Sequence, residues 1–124
     1  MKIIETDNAP KAIGTYSQAV KVNGFLFVSG QIPLDPSTME LVEGIENQIN
    51  QVFENINEIL KADGMDFSNV VKLSVLLEDL SHFEKVNETM AVIFSKPYPA
   101  RAAYEVSKLP KGSLVEIETI AFKE

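Results

Sequence analysis

The side chains best suited to chemistry are few. Of eleven basic residues only Arg101 is arginine, and it lies in a small or apolar stretch, Pro99-Ala100-Arg101-Ala102-Ala103. A guanidinium is a planar fork of donors that can grip a carboxylate with two parallel hydrogen bonds; lysine supplies charge without that orientation. Composition alone leaves an incidental surface arginine as an equal alternative. Glu116 and Glu118 form a second group, in Leu114-Val115-Glu116-Ile117-Glu118-Thr119-Ile120. In a strand, period two puts both carboxylates on one face beside Leu114 and Ile120, with Cα atoms roughly 6.5–7 Å apart. Partial burial of that face would tie at least one of them to a cation or a function. Read on its own, the segment favours a blander role, an exposed acidic edge strand that blunts aggregation.

Around these lie smaller polar groups. Gly14-Thr15-Tyr16-Ser17-Gln18 and Val28-Ser29-Gly30-Gln31 flank a hairpin and offer Tyr16, Ser29 and the Gly30 backbone at one end of a sheet. Ordinary turn chemistry explains most of them equally well. Asn87, in Lys85-Val86-Asn87-Glu88, reads as a solvent-facing residue within a helix.

Other chemistries are set aside by what the chain lacks. There is no cysteine, so no disulfide, thiolate metal site or catalytic thiol. The one histidine, His82, reads as a solvated residue in the first turn of a helix and cannot build a histidine-rich metal site. No G-x-G-x-x-G, phosphate-binding loop, H-E-x-x-H or G-x-S-x-G motif occurs. A glycosidase would suit paired carboxylates. Against it stand the absence of tryptophan to stack on sugars and the small size, 124 residues. The net charge of −7, with scattered lysines, argues against nucleic-acid binding. No apolar run reaches the ~20 residues that span a bilayer, and the first residues do not resemble a signal peptide. The expected location is therefore the cytoplasm.

The elements that must position these residues can be read from spacing. The length fits a single domain, residues 1–124, without repeats or linkers. Residues 1–6 suit a short strand. Residues 18–22 and 25–29 flank Asn23-Gly24, the strongest short hairpin signal, because a type I′ turn needs positive φ at both central positions. Residues 30–38, with Pro33, Asp35 and Pro36, read as a loop. Ile45, Ile49, Val52, Phe53, Ile56, Ile59 and Leu60 fall on one face of a helix over 45–63, which Gly64 ends. Residues 70–77 suit a buried strand. Ser81 and Glu84 have the spacing of a capping box that opens a second helix running to about Phe94, with Pro97 and Pro99 beyond it. Residues 100–106 and 114–123 make two final strands. Right-handed crossovers then place both helices on one side of a single sheet. The expected fold is a two-layer α+β domain with a mixed sheet. Its second face is left open, to be covered by subunit association or by long loops.

Taken in order along the chain, several stretches resemble the reactive intermediate deaminase family, in its RidA branch. They are Ile13-Gly14-Thr15-Tyr16-Ser17-Gln18-Ala19, Val28-Ser29-Gly30-Gln31-Ile32-Pro33, the helix pattern from Asn47 to Asn55, Val86-Asn87, Pro99-Ala100-Arg101, and Val115-Glu116-Ile117-Glu118 with Ile120-Ala121. The resemblance implies a chorismate-mutase-like fold assembled as a homotrimer, with sites between subunits. It implies hydrolysis of 2-aminoacrylate and 2-aminocrotonate, in their imine forms, to pyruvate, 2-oxobutanoate and ammonia. It implies no cofactor and no metal, and the small imino or keto acid as the ligand. The family's carboxylate-binding arginine falls on Arg101 and its water-positioning glutamate on Glu116, while its ligand contacts fall on Tyr16, Ser29, Gly30 and Asn87. Thr15 stands where proline is usual and Ala103 where many relatives have cysteine, and the segment from Asn87 to Arg101 is shorter than in some members. A keto-acid-binding regulator without turnover is an alternative on the same scaffold. RNA cleavage or translation inhibition, attributed to some relatives, fits the acidic charge poorly.

Overall fold

A computed structural model describes all 124 residues. Six strands form one sheet: β1 (Lys2–Ile4), β2 (Ala19–Val22), β3 (Phe25–Gln31), β4 (Val70–Leu77), β5 (Ala100–Glu105) and β6 (Val115–Phe122). Two helices, α1 (Ile45–Ala62) and α2 (Phe83–Ile93), pack on one side of it. The spatial order is β1-β2-β3-β6-β4-β5. β6 runs antiparallel to both of its neighbours, and β4 and β5 are parallel. The α+β class, the mixed sheet and the shared side of the helices are those the sequence predicts.

The β2–β3 hairpin turns on Asn23 and Gly24, at φ of 49° and 84°, as the type I′ turn requires. β3 continues to Gln31, beyond the predicted strand end. Val28 and Gln31 are both buried although three residues apart, and the pairing with β6 shifts register between them. One extra residue in this bulge restores the alternation and places Ser29 and Gly30 within the strand instead of in a loop.

α1 buries Ile49, Val52, Phe53, Ile56, Ile59 and Leu60, the predicted face, against β3 and β6. Two polar residues sit on the same buried face. Gln48 Nε2 donates to Val42 O at 3.0 Å and its Oε1 accepts from Leu114 N at 2.8 Å. Asn55 Nδ2 donates to Leu34 O at 3.0 Å. Each satisfies backbone groups that would otherwise be buried unpaired. Together they fasten the chain around residues 32–42 and residue 114 to the helix.

Two expectations are corrected. The helix start does not use Ser81 and Glu84: Asp79 accepts from Ser81 N at 2.9 Å, capping a single 3₁₀ turn over Leu80–His82, and α2 begins at Phe83. An aspartate two residues upstream reaches the free backbone N–H first. The exposed edge-strand reading of Glu116 and Glu118 also fails, because β6 lies between β3 and β4, inside the sheet.

The alternation of β6 is regular. Val115, Ile117, Thr119 and Ala121 face the helices and are buried, while Glu116, Glu118, Ile120 and Phe122 face the other way. That second face carries Phe25, Phe27 and Tyr104, which remain 41–57% exposed. No loop covers them.

Candidate active site

The predicted site residues fall into two groups. The first lines a cleft of about 640 Å³, which includes Tyr16, Ser29, Gly30, Lys111, Glu116 and Glu118. The bulge in β3 brings Ser29 and Gly30 to the β6 boundary. Gly30 has no side chain to fill the space beside it, and Glu116 occupies that space. A Cβ at Gly30 would lie 1.9 Å from Glu116 Oε2. The glycine is set by close approach and not by its backbone angles: any side chain there would have to displace the Glu116 carboxyl.

Glu116 is partly buried, and its carboxyl makes no hydrogen bond or ion pair within the chain. Burial raises its pKa above the ordinary glutamate value, and the neighbouring Glu118 carboxylate raises it further. An acid so placed can give or take a proton nearer neutrality than a free glutamate.

The wall of this cleft is held by a residue the sequence reading passed over. Gln18 is buried. Its Nε2 donates to Pro10 O at 2.8 Å and Thr6 O at 3.0 Å, and its Oε1 accepts from Thr6 N at 2.8 Å. The segment before Tyr16 is thereby pinned to the start of β2. Ser29 Oγ donates to Ser17 O at 2.6 Å, closing the same loop from the β3 side. Tyr16 itself is 54% exposed at the rim.

The second group lies elsewhere. Arg101 is on β5, an edge strand, opposite Leu73 of β4. Leu73 is fully buried under the helices, so Arg101 leaves the strand on the helix side. Its Nη1 donates to Asn87 Oδ1 at 2.8 Å and lies 3.6 Å from Met90 Sδ, and its Cζ sits over the Phe83 ring at 4.6 Å. Asn87 therefore holds the arginine. Asn87, Met90, Tyr98 and Arg101 line a cleft of about 410 Å³ that shares no residue with the first. Glu116 and Arg101 thus point from opposite faces of one sheet and do not meet within a chain. Phe83 and Met90 were missed from the sequence, although their spacing with Asn87, four and then three residues, marks one stripe of a helix.

The comparisons with known proteins bear on both groups. The family model described as Endoribonuclease L-PSP matches residues 6–123. The chain belongs to the RidA family. A 2-iminobutanoate/2-iminopropanoate deaminase of Rattus norvegicus is 54% identical over 121 residues, 97% of this chain and 88% of that one. The crystal structure of RidA from an Antarctic Psychrobacter superposes with a TM-score of 0.96 at 53% identity, covering 99% of this chain and 100% of that one. Escherichia coli TdcF with bound serine superposes with a TM-score of 0.93 at 37% identity, covering 100% of both chains. The RidA-type architecture therefore extends over the whole chain, including both clefts.

Proposed function

We propose that this protein hydrolyses small 2-imino acids, the imines of 2-aminoacrylate and 2-aminocrotonate, to pyruvate or 2-oxobutanoate and ammonia. The observation that carries the reading is Glu116: a partly buried, unpartnered carboxyl with a raised pKa, facing an open cleft in a chain about half identical to imine deaminases.

In this reading Arg101 grips the substrate carboxylate and fixes the plane of the adjacent C=N bond. Ionised Glu116 orients a water molecule against the imine carbon and takes its proton as the C–O bond forms. The resulting carbinolamine receives that proton on nitrogen. Glu116, ionised again, then takes the hydroxyl proton as the C–N bond breaks, so that the carbonyl forms and ammonia leaves. Proton transfers of this kind contribute about 10²–10⁴-fold. Tyr16, Ser29 and the Gly30 backbone bound the space where the substrate sits.

The reading needs two chains. One copy's Arg101, with Asn87, must approach another copy's Glu116. The apolar second face of the sheet supports such an assembly, because exposed aromatic surface of this kind marks interaction sites. A homotrimer with three sites between subunits is the arrangement proposed, with no nucleic acid or membrane as partner and the cytoplasm as location.

The test is a coupled assay in which a pyridoxal-phosphate dehydratase generates the imine and semicarbazide traps it. Wild-type protein should suppress the semicarbazone signal, and Arg101→Ala should restore it while leaving the circular dichroism spectrum unchanged. A folded Arg101→Ala protein with wild-type turnover would remove the clamp. The serine bound to the Escherichia coli relative favours a second reading, a sensor of small amino or keto acids. Saturable 2-oxobutanoate binding with no turnover by the wild type would select it.

A further inference from the structure

We propose that Phe83 and Met90 are positioning residues that hold Arg101 ready for a carboxylate; the proposal rests on the reading of Arg101 as the substrate clamp. An arginine on an edge strand, facing solvent, ordinarily samples many rotamers and loses them on binding. Here three side chains of α2 restrict it. Phe83, Asn87 and Met90 lie on one stripe of the helix. The Phe83 ring lies under the guanidinium carbon at 4.6 Å. Nη1 is turned inward, toward Asn87 Oδ1 at 2.8 Å and Met90 Sδ at 3.6 Å. Nε and Nη2 make no hydrogen bond within the chain.

This arrangement divides the work of one guanidinium. The inner nitrogen is tied to the helix, and the outer donors stay available for a ligand. The ring face sets where the guanidinium carbon can lie, and so limits the plane of any carboxylate it grips. Because the carboxylate and the C=N bond of a 2-imino acid are adjacent, a fixed clamp also fixes the face offered to water. Phe83 and Met90 act only through Arg101, so their loss should weaken ligand binding before it slows chemistry.

The experiment compares Phe83→Leu, Phe83→Tyr and Met90→Leu with the wild type in imine turnover and in calorimetric titration with 2-oxobutanoate. Phe83→Leu should raise KM and the keto-acid Kd by about two- to fivefold, the range for an exposed cation–π contact, with a smaller effect on kcat. Phe83→Tyr, which keeps the ring, should return both toward wild type. Met90→Leu, which removes only the sulfur contact, should raise them less than Phe83→Leu. A second readout is chemical rescue: free guanidinium should restore part of the turnover of Arg101→Gly, and should fail in Arg101→Gly with Phe83→Leu, where no ring receives it.

A folded Phe83→Leu protein with wild-type KM and Kd, or equal rescue with and without the ring, would overturn the proposal and leave the deaminase reading standing. If leucine unfolds the chain, Phe83→Met, unbranched and adaptable but without a ring face, decides the same question. If the wild type binds 2-oxobutanoate but turns over no imine, the deaminase reading fails and the Kd comparison still decides the role of Phe83. Neither binding nor turnover by the wild type would overturn both.

Discussion

Gly30 and Glu116 act as a single unit in this structure. The carboxylate lies where a Gly30 side chain would be. Gly30→Ala should therefore leave the fold intact and displace Glu116, lowering kcat by at least about 10²-fold, as expected for the loss of a positioned proton-transfer group. Turnover near wild type in a folded Gly30→Ala protein would show that Glu116 tolerates displacement. The raised Glu116 pKa also has a consequence for stability. Folding favours its protonated form, so its contribution is fully present below the unfolded pKa and is lost as pH rises through the folded value. Glu116→Gln, a permanent stand-in for the protonated carboxyl, should raise the melting temperature at pH 7.5, with the gain vanishing in acid. An equal gain at pH 7.5 and pH 3.5 would assign it to packing instead. Because Glu118 adds to the shift, Glu118→Gln should also move the limb of the pH–rate profile governed by Glu116 to lower pH.

At the scale of elements, buried polar side chains decide how the site is braced. Gln18 returns three strong hydrogen bonds for its burial, all to the segment that leads to Tyr16. Thr119, on the core face of β6, is buried with an Oγ1 that has no partner. The two should respond oppositely to an apolar replacement. Gln18→Leu leaves buried backbone groups unpaired and should cost about 2–4 kcal/mol, while Thr119→Val removes a desolvated hydroxyl and should gain about 1 kcal/mol. Urea denaturation measures both, and a destabilised Thr119→Val would mean that its hydroxyl finds a partner in solution. These residues also mark where sequence reading stops. Helix α1 was legible because its apolar residues repeat at 3.6, and the hairpin because Asn23-Gly24 is chemically specific. Gln18, Gln48 and Asn55 were not legible: a glutamine buried by its tertiary partners looks, in one dimension, like a glutamine in water. The β3 bulge was hidden for a related reason. A single inserted residue breaks period two, and only the partner strand shows where.

For the whole molecule, the family resemblance assigns Arg101 and Glu116 to one proposed reaction, and the structure keeps them apart within each chain. Their separation follows from topology: β6 sits inside the sheet and β5 at its edge, and the two side chains leave on opposite sides. The sequence resemblance supplied the pair, and the alternation of strands supplied the faces. The strand order, which no local pattern encodes, supplied the distance. Subunit mixing tests the consequence. Arg101→Ala and Glu116→Gln proteins, each inactive alone, should regain activity when unfolded together and refolded, since about a quarter of the sites between randomly assorted subunits would join an intact Arg101 to an intact Glu116. No recovery in a properly assembled mixture would place both residues of each site in the same chain. Light scattering of the wild type should give three times the 13.7 kDa chain mass.

The two clefts share no lining residue, and Glu116 and Arg101 leave the sheet on opposite faces. In the proposed two-chain site, a solitary copy owns every necessary group and can use none of them. Its output should rise faster than linearly with its abundance until neighbours are always at hand, and linearly thereafter. Newly made or heavily diluted chains would be silent, and the proposed hydrolysis would begin at a threshold dose.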